Sequence, residues 1–438
     1  QQYGKKDGFE FMINLHNISP VDDAFEDYRL TEEDKEQILE LSKRDDIYEL
    51  LVNTLAPEIH GHKTVKQGLL LQLLEGNRPS DDCMKSESMD RWTSHILLIG
   101  DPGIGKSQLV SAVNKRAPKC ICISGTNTSQ AGLTTSAVKD ELTGTWTMEA
   151  GGVVLADTGL LCIDEFDKLS ASAQKSLNEP MEQLSVSSAK AGLVQTMTAR
   201  TSILAVANPK YSRFKDDKSF KEQLDIAEST LSRFDLIFAL TDSINEVDDK
   251  ELATALLSNS SKDDELEVLS DDCFKKYITY MKANCFPVLT DEVIDMLSEF
   301  YVTVRQEASK SYDGKPITAR DLKSLERLTI ARAKCEGRDY TELSDAEEAI
   351  RIYNESLESL GLTVTTAGEL QSIMSDEEFE IINDIELMIK SEADYEGFPL
   401  SNESLSKLEF ECGLKCHGTS LDSEQVFRKC LLKVKNSL

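Results

Sequence analysis

The sequence has no apolar run approaching the ~20 residues that a membrane-spanning helix needs. Its first residues form neither a basic segment nor a long apolar core, so they do not resemble a secretory signal. The ten cysteines indicate no disulfide framework, because Cys120, Cys122 and Cys162 fall inside apolar, strand-like runs where a reduced thiol behaves as a small hydrophobic group. We therefore expect an intracellular protein, and 438 residues allow two or three domains.

Positive charge is scarce as well. Lysine and arginine total 48 against 78 aspartates and glutamates, which gives a net charge of −30. So acidic a surface repels phosphate groups, and this argues against binding of nucleic acid by the whole surface. Any contact with DNA must be made locally, by a few basic side chains.

Metal-binding patterns are also sparse. Cys412, Cys416 and His417 lie close together, but no second pair of ligands follows at the spacing of a zinc site. We therefore predict no zinc site.

A phosphate-binding motif stands out against this background. Residues 100–107 read Gly-Asp-Pro-Gly-Ile-Gly-Lys-Ser, fit GxxxxGKS and directly follow the apolar run 96–99. The glycines let backbone N–H groups point at β- and γ-phosphates, while Lys106 adds positive charge and Ser107 a hydroxyl for Mg²⁺. A Gly-rich turn without a ligand is the alternative, but the preceding strand and following helix favour a nucleotide site. The predicted ATP-binding residues are Gly100, Asp101, Pro102, Gly103, Ile104, Gly105, Lys106, Ser107 and Gln108.

Apolar runs alternate with helical patterns through the first half of the chain. The runs cover residues 96–99, 119–124, 160–163, 202–207 and 235–240. This alternation predicts an α/β fold with a five-stranded parallel sheet, helices on both faces and a ligand site at the carboxyl ends of the strands. Residues 271–284, 291–310, 318–334 and 344–360 carry apolar residues at helical spacing and predict a helical domain.

Polar side chains with catalytic potential occur at the ends of three predicted strands. Asp164 and Glu165 follow the third strand: Asp164 can hold Mg²⁺ through water, and Glu165 can orient or deprotonate the water that attacks the γ-phosphate. Asn208 follows the fourth strand and can hold that water without adding charge. Arg233 precedes the fifth strand and is a candidate to reach a phosphate across a subunit boundary. The alternatives are a helix cap for the carboxylates and a surface ion pair for Arg233.

Four ordered motifs, at residues 100–107, 161–169, 207–209 and 231–240, resemble the minichromosome maintenance (MCM) proteins, the hexameric AAA+ helicases of archaeal and eukaryotic replication. The likeness spans residues 47–360. It implies an AAA+ P-loop ATPase base at 47–257 and a helical lid at 258–360. Residues 1–46 would be the remnant of an OB-type N-terminal domain with its linker. Residues 361–375 would be a second linker, and residues 376–438 a winged-helix-like module without its wing.

The resemblance also implies roles for individual residues. Lys106, Ser107, Asp164, Glu165 and Asn208 would act on the ATP and Mg²⁺ of their own subunit, whereas Arg233 and Arg320 would serve the ATP of the neighbouring subunit. Each active site would then lie at an interface of a homo-hexamer, with a hetero-hexamer as the alternative. Single-stranded and forked DNA and other replication proteins would be the partners, with no membrane. The location would be the cytoplasm or nucleoid of an archaeon, or a eukaryotic nucleus.

Two insertions would carry the DNA contacts. Residues 138–146 resemble the family's helix-2 insert, and residues 183–194 resemble its presensor-1 hairpin. We predict DNA contacts by Lys139 and by Lys190 near the hairpin tip; the alternative for Lys190 is a solvated surface lysine. Departures from the family pattern occur at Ile104, Gly105, Asn178, Pro180, Leu184 and Ser188, and Pro180 is predicted to bend or shorten the helix before the hairpin.

Three functions follow as hypotheses. The first is the motor part of an ATP-driven replicative DNA helicase that translocates on one strand. The second is a regulatory or diverged ring subunit that binds ATP and partners without unwinding DNA. The third is an AAA+ protein remodeller, whose ATPase activity would be indifferent to DNA.

Overall fold

The computed structural model describes residues 30–59, 61–79, 91–139, 145–190, 193–211, 213–214, 223–240, 267–310 and 318–360. Most of the predicted N-terminal remnant, up to residue 29, lies outside the described residues. The predicted linker and C-terminal module from residue 361 onward, with Cys412, Cys416 and His417, also lie outside them.

The described part alternates strands and helices up to residue 240 and is helical after residue 267. The helices, in chain order, are α1 (Glu32–Leu41), α2 (Ile47–Leu55), α3 (Lys63–Leu74), α4 (Lys106–Arg116), α5 (Gln130–Leu133), α6 (Gly152–Leu155), α7 (Ala171–Ser176), α8 (Asn178–Gln183), α9 (Glu228–Leu231), α10 (Asp271–Asn284), α11 (Asp291–Lys310), α12 (Ala319–Cys335) and α13 (Leu343–Ser359). The strands are β1 (His95–Gly100), β2 (Cys120–Ser124), β3 (Thr135–Lys139), β4 (Trp146–Ala150), β5 (Leu160–Asp164), β6 (Ser185–Lys190), β7 (Leu193–Thr198), β8 (Ser202–Ala207) and β9 (Leu236–Leu240).

Five of these strands form one parallel sheet in the order β2-β5-β8-β1-β9. They are the five apolar runs of the sequence, so the predicted sheet is confirmed. Strand β1 lies between β8 and β9 and is buried along its whole length, as expected for a strand covered on both faces. The sheet therefore places the end of β1, where the phosphate-binding motif begins, between the ends of β8 and β9 at its carboxyl edge.

The two faces of the sheet pack into separate apolar cores. Ile96 and Leu98 belong to a core shared with α2, α3, α4 and the helices after residue 267. Leu97 and Ile99 belong to the other core, which includes residues of α7, α8 and β6. Successive side chains of a strand point to opposite faces, so the run of four apolar residues in β1 contributes to both cores.

The helices after residue 267 dock on the β9 edge of the sheet. The Ser356 hydroxyl of α13 donates to the carbonyl of Ile237 at 2.8 Å and accepts from its N–H at 3.1 Å. The Ser359 hydroxyl accepts from the N–H of Ala239 at 2.9 Å. These side chains satisfy backbone groups of an edge strand that would otherwise lack partners. Among the described residues, no helix combines the length and apolar character that a membrane crossing requires.

A buried histidine ties β1 to its surroundings. The His95 side chain is fully buried; its Nδ1 accepts from the N–H of Ile203 at 3.1 Å, and its Nε2 lies 3.1 Å from the carbonyl oxygen of Met181 in α8. These two contacts require a neutral ring with the proton on Nε2. Burial, reinforced by Arg91, lowers the pKa of His95 to about 3.

This histidine predicts a pH dependence of stability. Because the folded-state pKa lies below the unfolded value of about 6.5, the unfolded chain binds more protons, and stability falls as the pH drops below about 6.5. We expect a loss of about 2 kcal/mol between pH 7 and pH 5, measured by urea unfolding at both values. The variant His95→Asn, which cannot titrate, should show a clearly flatter dependence; equal slopes would contradict the assignment.

Candidate functional site

The phosphate-binding motif forms the loop between β1 and α4. Gly103 and Gly105 have φ values of +95° and +84°, a left-handed conformation that side chains disfavour. Gly100 approaches the last residue of β9 so closely that a Cβ there would lie 2.5 Å from the Leu240 carbonyl oxygen. Gly103 and Gly105 therefore allow the loop to curl, and Gly100 allows the chain to pack closely against β9.

The lysine of the motif folds back against the backbone of the loop. Lys106 is only 6% exposed, and its Nζ donates to the carbonyls of Gly100 at 2.5 Å and Asp101 at 2.6 Å. Burial lowers the pKa of this ammonium group, and the charges of Asp101, Asp164 and Asp167 partly counter that shift. The carbonyls thus substitute for an anion, and a phosphate group would be a better partner for the charge.

The other predicted nucleotide-binding residues surround this lysine. Ser107 and Gln108, in the first turn of α4, are exposed, as are Pro102 and Gly103. Ile104, one of the departures from the family pattern, is partly buried and packs against the apolar core beside α4. Its side chain therefore has a packing role. Asp101 is buried, and its carboxylate accepts from the N–H of Phe214 at 3.0 Å.

The two predicted catalytic carboxylates lie where β5 ends. The Asp164 carboxylate accepts from the N–H of Glu165 at 2.9 Å. Glu165 itself has φ +54° and ψ +46°, a left-handed conformation unusual for a residue with a side chain. The turn directs two consecutive acidic side chains to the carboxyl edge of the sheet.

Two hydroxyl groups hold the Glu165 side chain. The Thr126 hydroxyl donates to its Oε2 at 2.5 Å and the Ser124 hydroxyl donates to the same oxygen at 3.1 Å. Between them, Gly125 lies so close that a Cβ there would be 2.2 Å from the Glu165 carbonyl oxygen. No sequence pattern marks this contact, although the parallel sheet places the end of β2 beside the end of β5.

Asn208 completes this edge. It follows β8, and its backbone N–H donates to the Asp167 carboxylate at 3.0 Å. With Pro102, Asp167 and Lys168 it lines an open cleft of about 230 Å³. The structure therefore brings the loop, both carboxylates and the amide to one edge, in an arrangement that can hold a phosphate chain and a water molecule.

The two predicted trans arginines lie together elsewhere. Arg233 donates to the Glu182 carboxylate at 2.9 Å, and Arg320 donates to the other oxygen of the same carboxylate. Arg233 also bonds the carbonyls of Asn178 and Ser229. Glu182, in α8, was not singled out in the sequence and is the shared partner of both arginines.

This arginine group lies at the amino edge of the sheet, opposite the phosphate-binding loop. Arg233 precedes β9, which runs parallel to β1 with Leu236 opposite Ile96, whereas the loop begins after Gly100. At ~3.3 Å per residue, β1 separates the two edges by about 17 Å. The arginine group therefore lies at the edge of the sheet opposite the phosphate-binding loop of its own chain.

Two β-hairpins form on the side of the sheet that carries α7 and α8. Strands β3 and β4 pair antiparallel and place Lys139 opposite Trp146, with both side chains exposed. Strands β6 and β7 pair antiparallel with Lys190 opposite Leu193; the Lys190 side chain lies outside the described part. The hairpins contact each other, so the two predicted DNA-contacting segments adjoin.

Pro180 shapes the path into the second hairpin. The helical stretch is interrupted at Leu177, between α7 and α8. Proline lacks the N–H that would bond the carbonyl of Ser176, four residues earlier. Helix α8 has six residues, carries Pro180 in its first turn and ends where Leu184 adopts φ +55°; that Pro180 bends or shortens this helix stays a prediction.

Two family models and several curated proteins match the chain. Residues 34–260 match the MCM P-loop domain, and residues 272–357 match the MCM AAA-lid domain. The chain is 40% identical over 333 residues to DNA replication licensing factor MCM4 of Arabidopsis thaliana and covers 39% of that protein. It is 34% identical over 373 residues to MCM2 of Oryza sativa subsp. indica, covering 38% of it, and 33% identical over 374 residues to the minichromosome maintenance protein MCM of Saccharolobus solfataricus, covering 54%. These matches include 75%, 80% and 85% of the present chain.

Proposed function

The chain belongs to the MCM family of AAA+ P-loop ATPases, and we propose that it is the motor part of a replicative DNA helicase that works as a ring. The observation that carries this proposal is the division of the active-site residues between two edges of the sheet. The phosphate-binding loop, Asp164 and Glu165 lie at one edge, and Arg233 and Arg320 lie at the other. A second chain is needed to complete the site.

Within one chain, ATP binding would exchange the partners of Lys106. Its ammonium group would leave the carbonyls of Gly100 and Asp101 for β- and γ-phosphate oxygens, while the backbone N–H groups of the loop bond the same phosphates. Ser107 and Asp164 are the residues that would hold Mg²⁺. When bound, the ion neutralises phosphate charge. The exposed Ser107 hydroxyl and the charge of Asp164 near Lys106 fit such an ion.

Hydrolysis would require Glu165 to release its two hydroxyl partners. In the structure both donate to Oε2 of the Glu165 carboxylate. A carboxylate that turns from them toward the cleft could orient the water together with Asn208. Thr126 and Ser124 would therefore hold Glu165 in a resting position.

The neighbouring chain would supply Arg233 and Arg320. An arginine placed on the γ-phosphate stabilises charge that develops in the transition state. Both side chains are paired with Glu182, which lies in α8, directly before the hairpin β6–β7. If a phosphate replaced the Glu182 carboxylate as the partner of the arginines, the contacts of α8, the helix before the hairpin that carries Lys190, would change. This supports coupling of ATP hydrolysis to movement of DNA.

DNA would be held by the hairpins inside the ring. Lys139 and Lys190 are the proposed phosphate contacts, and repetition around a ring would concentrate their charge in a chain of net charge −30. The proposed partners are single-stranded and forked DNA, copies of this chain or related subunits, and other replication proteins. The proposed location is a nucleus, or the cytoplasm or nucleoid of an archaeon.

The proposal is tested by strand displacement on a forked duplex with Lys190→Ala, alongside Lys106→Ala. We expect Lys190→Ala to reduce unwinding at least ~10-fold while ATP hydrolysis without DNA stays within about twofold, because only the phosphate contact is removed. Lys106→Ala should lose both activities. Lys35→Ala, on the exposed face of α1, is the matched control and should change neither.

Two outcomes would favour the other functions. ATP hydrolysis without strand release at any protein concentration, with Lys190→Ala indistinguishable from the parent chain, would indicate a regulatory ring subunit. ATPase activity that is indifferent to both DNA and Lys190 would indicate a protein remodeller. The regulatory alternative rests on three departures from the family pattern, at Pro180, Leu184 and Ser188. They lie in the approach to the hairpin and in its first strand.

A further inference from the structure

Three cysteine thiols meet at one edge of the parallel sheet. Cys120 and Cys122 lie in β2, the edge strand, and Cys162 lies in β5 directly opposite Cys122. The three Sγ atoms lie within 4.8 Å of one another; Cys120 is 3.4 Å from Cys162 and 4.0 Å from Cys122. From the sequence alone, these residues were expected to be small hydrophobic groups.

The convergence of the thiols is not imposed by the backbone. Residues i and i+2 of a strand are separated by about 6.6 Å, yet the sulfurs of Cys120 and Cys122 are 4.0 Å apart. The two side chains therefore lean toward each other. For a metal–sulfur distance of about 2.3 Å, three sulfurs around one ion would be about 3.8–4.0 Å apart. The measured separations are close to that spacing.

Solvent access to the group and the chemistry of its donor atoms limit which ligand could bind there. Cys162 is buried, Cys120 is half-buried and Cys122 is exposed, so the group opens to solvent on the outer side of β2. Among the described residues, no histidine or carboxylate joins the three sulfurs at ligand distance. A set of donors made only of thiolates selects soft ions and disfavours Mg²⁺ and Ca²⁺.

We propose that Cys120, Cys122 and Cys162 form a binding site for one thiophilic metal ion of the Zn²⁺, Cd²⁺ or Cu⁺ type. The ion is held by three thiolates, with an open position toward solvent, and each thiol releases its proton on binding. The site is distinct from the nucleotide site and does not depend on the function proposed above.

Such an ion would link two strands that also carry the hydrolytic residues. In the register of β2 and β5, Ser124 lies opposite Asp164, two residues beyond the pair Cys122 and Cys162. Within the described sheet, β2 pairs with β5 alone, so a metal link would fix the position of β2 against β5. It would thereby hold the Ser124 hydroxyl near Glu165.

The test uses the full chain, reduced and freed of metal, with Cd²⁺ alone as the probe. Because Cys412 and Cys416 could also bind Cd²⁺, the parent is the chain with Cys412→Ser and Cys416→Ser. We expect one equivalent to bind with a thiolate-to-cadmium absorption band in the ultraviolet. Cys120 and Cys122, the two members of the group that solvent reaches, should become protected from alkylation, as identified by mass spectrometry; Cys162 is buried with or without the ion.

Cys122→Ser is the informative variant, because its side chain is exposed and the change from sulfur to oxygen is small. It should weaken Cd²⁺ binding at least ~10-fold with an unchanged circular dichroism spectrum. Cys273→Ser, a thiol outside the group, is the matched control and should bind like the parent. Equal binding by Cys122→Ser and the parent, or protection of other cysteines, would overturn the proposal.

Discussion

Replacing Glu165 with glutamine is expected to lower kcat for ATP hydrolysis by about 10²- to 10⁴-fold, because the amide cannot accept a proton from the attacking water. ATP binding should stay nearly unchanged, since the loop and Lys106 are untouched. The substitution is nearly isosteric, and the hydroxyls of Thr126 and Ser124 can still donate to the remaining oxygen. The measurement is steady-state ATPase activity together with binding of a fluorescent nucleotide.

A mixing experiment tests whether Arg233 acts on the site of the neighbouring subunit. Glu165→Gln carries an intact Arg233, and Arg233→Ala carries an intact Glu165. If the site is interfacial, mixing the two inactive chains should restore activity, with about a quarter of interfaces complete after random assembly. The matched control is Lys106→Ala mixed with Glu165→Gln, which alters the same half of the site twice and should restore nothing.

The mixing result also distinguishes failure of the role proposed for Arg233 from failure of the role proposed for Glu165. Full loss in Glu165→Gln without recovery on mixing would mean that Arg233 does not act across an interface. Retention of activity by Glu165→Gln would remove Glu165 from the catalytic role. Because Arg233 lies about 17 Å along β1 from the loop of its own chain, action within one chain is the outcome that this structure disfavours.

The second large effect is expected at Asp235, a buried carboxylate at the start of β9. Its side chain is fully buried and accepts from Arg91 at 2.6 Å, from Arg327 at 2.5 Å and from the N–H of His95 at 2.7 Å. Ser324 donates to it as well. Burial alone would raise the pKa of this carboxyl, but Arg327 and Arg91 outweigh burial and hold the pKa well below its usual range.

Asp235→Ala should lower the free energy of unfolding by about 3–5 kcal/mol, because two buried guanidinium groups lose their counter-charge. The measurement is urea unfolding at pH 7, where the contribution of a carboxylate with a lowered pKa is fully present. Asp235→Asn keeps the shape and removes the charge, so a comparable loss would assign the effect to the charge and not to a cavity.

An exposed ion pair provides the control. Glu49 is 2.9 Å from Lys63, and both side chains are 64% exposed, so Glu49→Ala should change unfolding by no more than the scatter of the measurement. If Asp235→Ala were equally mild, the arginines would have to find other partners. The link between β9 and α12 would then not depend on this carboxylate.

The sequence was sufficient for those features that depend on neighbouring residues. The phosphate-binding loop, the strand before it and the helix after it are encoded within about twenty residues, and each signal supports the others. Asp164 and Glu165 were found because they directly follow an apolar strand. The order β2-β5-β8-β1-β9 was not predicted, because it depends on which strands pair.

Contacts between distant residues were beyond sequence reasoning. Thr126 and Glu165 are 39 residues apart, Arg320 and Glu182 are 138 residues apart, and Arg91 and Asp235 are 144 residues apart. Threonine in a loop and glutamate in a short helix are common and carry no pattern of their own. Their roles appear only when the ends of separate elements are brought together.

By itself, the sequence determined the chemistry of this protein: a nucleotide loop, two acidic residues and an amide at strand ends, because each is coded by residues adjacent in the chain. Tertiary structure decided where each group lies. Parallel pairing brings the loop and the carboxylates to one edge and leaves Arg233 and Arg320 on Glu182 at the other. The same pairing gathers three thiols between β2 and β5. The physical reason is that all strands run the same way, so residues after a strand meet at one edge and residues before a strand meet at the opposite edge.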